Sequence, residues 1–190
     1  ANFTNCEFNA LEVDDNNIYA IGSNLDGGRM YTAPLDANKL FAVNLNAVWS
    51  YKFTTAGGKS IALDGTNLWV AAGNTGGGLF KFTPNGNSYE SSPLITKDGA
   101  KYVVKKGDKQ IFFALDNGKH YIRISDMSGS VIAEKTDSNI TVQTRNGKNA
   151  ISVDDNYIYV ALSDQGVAKY NLTDGTFVAK FVPSEFRPFG

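Results

Sequence analysis

Ser60-Ile61-Ala62-Leu63-Asp64-Gly65-Thr66-Asn67-Leu68-Trp69-Val70-Ala71-Ala72-Gly73 reads as a strand, a tight turn and a second strand. Asp, Gly and Asn suit the turn, because Gly and Asn tolerate positive φ and Asp bonds its own backbone. The second run is almost wholly apolar instead of alternating, so both of its faces are buried. Runs of four or five residues bounded by turns are too short for a helix, and their β-branched and aromatic content favours strand. The same pattern recurs over residues 10–22, around Asp14-Asp15-Asn16-Asn17, and over residues 150–162, around Asp154-Asp155-Asn156-Tyr157. A looser copy runs from Tyr102-Val103-Val104 to Ile111-Phe112-Phe113-Ala114. The apolar anchors Ile18, Leu68, Ile111 and Ile158 are 50, 43 and 47 residues apart.

Outward from each copy, a third run begins to alternate apolar with charged residues: residues 40–43, 79–82, 120–124 and 167–170. A turn follows, then a more polar fourth run over 47–53, 88–94, 131–135 and 176–182, as suits an outer edge. Four strands repeating at a period in the forties predict an all-β chain, a β-propeller of four four-stranded antiparallel blades. The blades are expected at residues 9–55, 56–98, 99–140 and 141–186 of one domain. A β-sandwich is built from similar strands but gives no reason for the repeat.

Gly58 to Ala71, followed by Gly77-Gly78-Leu79-Phe80-Lys81-Phe82, resembles a blade of the NHL/YVTN-type propeller superfamily, and residues 150–175 resemble it nearly as well. The texture is also similar to that of surface lipoproteins of gut Bacteroidetes that carry such propellers. These motifs are structural, so the resemblance implies a fold and no catalytic residue. It also implies six to eight blades in a closed ring, which makes these four part or half of a larger one. A self-closed ring of four would resemble the hemopexin-like fold, but that family's Trp-rich strands and closing cysteine pair are absent.

The chain has 190 residues, 42% of them hydrophobic, enough for a full core. Its net charge of -1 leaves no electrostatic footprint for nucleic acid. Lys97, Lys101, Lys105, Lys106 and Lys109, diluted by Asp98 and Asp108, read as one solvated face. No apolar run is long enough to span a bilayer. The abundance of Asn, Thr, Ser and Gly leans towards an exported bacterial protein, periplasmic or at the cell surface. Cys6 stands alone, so no internal disulfide forms.

Several chemistries are excluded or disfavoured. His120 is the only histidine, which rules out a multi-histidine zinc site. It opens a third strand and reads as a rim residue. The glycine-rich stretch of residues 73–78 joins two strands, lacks the helix of a phosphate cradle and reads as a flexible turn. Asp14, Asp64 and Asp154 recur at one repeat position as turn residues. No cofactor is expected. Calcium is conceivable through oxygen ligands, but the usual Asp-x-Asp-x-Asp loop is missing.

In such a meander the loops between second and third strands share a face with the blade-to-blade connections. Three of these loops are short, whereas the first repeat places residues 22–39 between its second and third runs. Long loops on rigid scaffolds carry function. The expected binding rim is therefore Asn24, Asp26, Arg29 and Tyr31 with Asn74, Asp116, Asn117, His120, Arg145 and Asp164. The expected function is a non-catalytic module that binds a protein or glycan, with self-association a further expectation. The alternatives are a hydrolase or lyase acting on a sugar or lactone through Asp and Glu, and an architectural fragment of a larger propeller.

Overall fold

The computed structural model describes residues 7–24, 27–35, 49–54, 57–85, 88–137, 150–162 and 165–182; Asn24, residues 49–54 and Ser88 are described by their backbone alone. Among these residues, sixteen strands form four antiparallel sheets, each in up-and-down order. The first holds β1 (Glu7–Val13), β2 (Asn17–Asn24), β3 (Gly27–Pro34) and β4 (Trp49–Thr54). The second holds β5 (Gly57–Asp64), β6 (Asn67–Gly73), β7 (Gly78–Asn85) and β8 (Ser88–Thr96). The third holds β9 (Ala100–Lys106), β10 (Lys109–Asp116), β11 (Lys119–Asp126) and β12 (Val131–Asp137). The fourth holds β13 (Ile151–Val153), β14 (Tyr157–Ala161), β15 (Val167–Asn171) and β16 (Phe177–Phe181). The all-β architecture of four four-stranded blades is as expected.

Alternation along the strands sends the side chains of the second and third sheets into two different junctions each. Tyr19, Ile21 and Met30 of the first sheet pack on Leu68, Val70, Ala72 and Phe82 of the second. The opposite face of the second sheet, with Trp69, Ala71 and Leu79, packs on Val103, Phe112, Ala114 and Tyr121 of the third. Ile111, Phe113, Ile122 and Ile124 then meet Ile158, Val160, Ala168 and Tyr170 of the fourth. This is why the central runs are apolar throughout instead of alternating.

The looser third copy is offset by one residue from its expected register. The turn pairs Asp64 with Asn67 in the second sheet and Lys106 with Lys109 in the third. Gln110, not Ile111, therefore occupies the position of Leu68, and Ile111 that of Trp69. Apolar content alone aligns Ile111 with Leu68; the turn shows otherwise, and a slip of one residue exchanges the two faces. Gln110 is consequently buried at the junction with the second sheet, and its amide oxygen and nitrogen have no hydrogen-bond partner.

The first blade also departs from expectation. Its third strand is β3, not residues 40–43, so only residues 25 and 26 separate it from β2. The long connection lies between the third and fourth strands. Polar Arg29 and the Gly27-Gly28 pair disguise a strand in which Met30 faces the core and Arg29 and Tyr31 face the other way.

The recurring aspartates are turn residues. Asp14 Oδ1 accepts the Asn16 and Asn17 N–H groups, each at 2.7 Å, and Oδ2 accepts the Tyr19 hydroxyl at 2.8 Å. Asp154 repeats the arrangement with Asn156 at 2.8 Å, Tyr157 at 2.6 Å and the Tyr159 hydroxyl at 2.8 Å. Donation from Asn156 N–H, then from the Tyr159 hydroxyl, holds the Asp154 carboxyl below its ordinary value. At Asp14, burial pulls upward, but the donors from Asn16, Tyr19 and Asn17 together outweigh it.

Two outcomes follow from these contacts. Gln110→Leu removes two unpaired buried polar atoms at a position where the neighbouring blade carries Leu68, and should raise stability by about 1–3 kcal/mol in urea denaturation. A carboxyl with a depressed folded pKa stabilises above its unfolded value, 3.8 for Asp154, and loses that contribution as pH falls through the folded value. Asp154→Asn should therefore lower the urea midpoint at pH 7 and flatten its decline below about pH 4.

Candidate functional site

The innermost strands of the first three blades carry the same defect. Register slips between Phe8 and Ala10, between Gly58 and Ser60, and between the pairs Phe113–Tyr102 and Ala114–Ala100. The extra residues are Asn9, Lys59 and Lys101, each five residues before the end of its turn-forming pair. A bulge bends the strand and re-aims its side chain. Asn9 Nδ2 donates to the Gly58 carbonyl at 2.8 Å, tying the first inner strand to the second. Ser60 Oγ ties the second to the third, donating to the Val103 carbonyl at 3.0 Å and accepting Val103 N–H at 3.2 Å.

Lys59 and Lys101 thus stand on neighbouring inner strands. Burial, then the charge of Lys59, lowers the Lys101 pKa from the ordinary lysine value. Lys59 reaches over the end of β6: a Cβ on Gly73 would lie 3.3 Å from its Cε and 2.8 Å from the Ala100 carbonyl. The pair is therefore at the end of the inner strands where the loops between second and third strands lie.

Those loops are tied to the connection between the second and third blades. Asn74 N–H donates to the Asp98 carbonyl at 2.6 Å, and Gly76 N–H to Asp98 Oδ1 at 3.0 Å. Lys97 N–H donates to the Gly77 carbonyl at 3.0 Å. The Lys97 ammonium pairs with Asp116 and stands 4.6 Å above the Tyr121 ring. Asn117 Nδ2 lies 3.4 Å from Asp116 Oδ1. Asn74, Asp116 and Asn117 are therefore gathered on one face, with Asn74 and Asn117 at positive φ of 81° and 52°. The glycine-rich stretch is a turn between two strands, as expected, and it is closely fitted. A Cβ at Gly77 would come within 2.1 Å of the Ala72 carbonyl oxygen.

Other expected site residues fall elsewhere. His120 is not a rim residue: it is fully buried between the third and fourth blades. Its Nδ1 shares a hydrogen bond with the Tyr170 hydroxyl, and its ring packs edge-on against Phe113 at 4.9 Å. Burial, then the nearby Asp137, pushes the Tyr170 hydroxyl pKa up. Its alternation with Ile122 and Ile124 held this clue, since all three share the face towards the fourth blade. Tyr31 lies in β3, buried, with Phe8 edge-on to its ring at 5.1 Å. Arg29 lies in the same strand, half-buried near its loop end. Asn24 ends β2; Asp26, Arg145 and Asp164 lie outside the described residues.

The lysines expected on one solvated face are dispersed. Lys105 pairs with Asp64 at 2.6 Å and Lys106 with Asp155 at 2.9 Å, each reaching an adjacent blade. Lys97 belongs to the loop face and Lys101 to the inner strands. Sequence reading missed the pairing of Lys59 with Lys101, because they are 42 residues apart. The signal was their shared place five residues before a turn. Among the described residues, no three His, Cys, Asp or Glu side chains cluster as a metal site. No helix of the described chain is long and apolar enough to cross a membrane.

No protein-family model and no curated protein sequence matches the chain. Solved structures do. BamB from Moraxella catarrhalis is 10% identical with a TM-score of 0.56, over 92% of this chain and 48% of its own. A structure from work on two prolyl endopeptidases is 11% identical with a TM-score of 0.55, over 87% of this chain and 25% of its own. Glutaminyl cyclase from Myxococcus xanthus is 15% identical with a TM-score of 0.50, over 92% and 70%. At these identities the likeness is one of fold: the chain is an all-β propeller module of four blades. It spans about half the length of the BamB structure and a quarter of the endopeptidase structure.

Truncating His120 leaves a cavity between the third and fourth blades. His120→Ala should lower stability by about 2–5 kcal/mol in chemical denaturation, the range for a large buried side chain. Exposed Asn117→Gly, which suits the left-handed backbone at φ 52°, should change it by less than about 1 kcal/mol, separating the core position from the rim.

Proposed function

We propose that the chain is a non-catalytic binding module that holds a protein or glycan at its loop face, with an acidic group of that partner seated at Lys59 and Lys101. The observation that carries this reading is the lysine pair itself. Two lysines share one repeat position on adjacent inner strands, and burial, then the charge of Lys59, disfavours the charged form of Lys101. An incoming carboxylate or sulfate relieves that repulsion and gains two charge-assisted hydrogen bonds.

The neighbouring groups suit a polar partner. Asn74 and Asn117 are exposed at the loop tips and offer both donors and acceptors. Lys97 and Asp116 neutralise each other and stiffen the rim. We keep Asn24, Asp26, Arg145 and Asp164 in the proposed rim on their order in the sequence alone. Arg29 contributes from the loop end of β3. Tyr31 and His120 are left out, being buried. The one described carboxyl that burial raises, Glu12, sits in β1 opposite Tyr19, towards the turn end of the blade instead. A bacterial exported location, periplasmic or at the surface, accords with the composition rich in Asn, Thr, Ser and Gly.

The test is calorimetric titration with an oligogalacturonide, a poly-glutamate peptide and a neutral cello-oligosaccharide. An acidic probe should bind, more weakly as salt rises. Lys59→Glu with Lys101→Glu should weaken it about tenfold or more, while the thermal midpoint is unchanged or raised. Equal affinity in that variant, or no preference for acidic over neutral probes, overturns the reading.

A further inference from the structure

The three junctions obey one rule, and the ends of the stack break it. Each junction joins a face bearing Tyr19, Trp69 or Ile111 to the next blade's face bearing Leu68, Gln110 or Ile158. One face of each kind is therefore left over: the Ile18 face of the first blade and the Tyr159 face of the fourth. No fourth core cluster joins these two blades among the described residues.

Residues at one repeat position show what is missing. Leu11 stands where Ile61 and Val103 stand in the next two blades. Those are 5% and 2% exposed, but Leu11 is 61% exposed, with Val13 beside it at 48%. At the other end, Tyr159 and Val167 occupy the positions of Trp69 and Leu79. Trp69 and Leu79 are fully buried, whereas Tyr159 and Val167 are only partly so. Even the cation is repeated. Lys81 lies 5.1 Å over Trp69 inside a junction, and Lys169 lies 5.8 Å over Tyr159 with no blade covering it among the described strands. Phe181, paired with Val167 on this face, is 53% exposed.

We infer that a second copy of this chain closes the ring, the Tyr159 face of each copy packing on the Leu11 face of the other. The left-over faces are complementary to each other, not to themselves. A two-fold pair then satisfies both ends at once and makes twice the four blades seen here. The BamB structure, of which this chain spans 48%, has about the length that such a pair supplies.

The test is light scattering after size exclusion. Wild-type protein should show twice the 20.5 kDa of the chain. Leu11→Lys with Val13→Lys, and separately Val167→Glu with Phe181→Glu, should each run as a monomer with unchanged near-ultraviolet circular dichroism, the dissociation constant rising about 100-fold or more. Mixing the two variants should restore the dimer, because one junction is then native and the other joins Lys to Glu. A monomeric wild type overturns the inference, and so does an open-ended series of larger masses. A dimer that survives in either variant alone means that like faces meet, which overturns it too. Binding of acidic probes by a monomer would leave the lysine-pair reading standing, so the two proposals fail separately.

Discussion

Burial of both faces of every sheet is the constraint on which this molecule depends. A sheet four strands wide cannot hide its own second face, so each blade is stable only through its neighbours. That requirement makes register unforgiving. Asp14 and Asp154, with their backbone donors, hold their hairpins so that Ile18 and Tyr19, or Ile158 and Tyr159, point to opposite faces. The third blade turns on Gly107 and Asp108 with Lys106 in place of the aspartate. It keeps the register, but at the cost of placing Gln110 in a buried junction. On the inner strands, where neighbouring backbones come close, Asn9 and Ser60 bond one blade to the next, and His120 bonds Tyr170 across the last junction.

Most of the fold was legible because its cause is local and repeated. Turn chemistry, strand length and apolar runs are visible within about a dozen residues, and repetition averages out their ambiguity. Legibility failed where one copy lacked the common mark. In the first blade the third strand carries Arg29 and follows two glycines, so it looks like a loop, while Leu40-Phe41-Ala42-Val43 looks more like a strand than β3 does. In the third blade the apolar run begins one residue farther from the turn, with Gln110 ahead of it, and Ile111 attracts an alignment that the turn contradicts.

The site was less legible, for a different reason. Asn74, Asp116 and Asn117 were found because loops of one class share one face by topology alone. Lys59 and Lys101 were not, since a bulge exists only relative to a partner strand, and no single strand announces it. His120 was misplaced because its position after a turn suggested exposure, while its alternation with Ile122 and Ile124 pointed inward. The inner-strand bulges explain how one backbone carries different chemistry from blade to blade. Asn9 closes a contact to the next strand at the same position where Lys59 and Lys101 hold charge.

Among the described residues the interior is three separate clusters, each confined to a single junction. Cooperativity in such a stack passes only from neighbour to neighbour, as along a one-dimensional chain. In a chain parted from its second copy, opening begins at the end blades, where one junction alone holds a blade, and moves inward. Trp69 and Phe112 lie at the middle junction, so the amides around them are the last to exchange with solvent, although they are no deeper beneath the surface than their counterparts at either end.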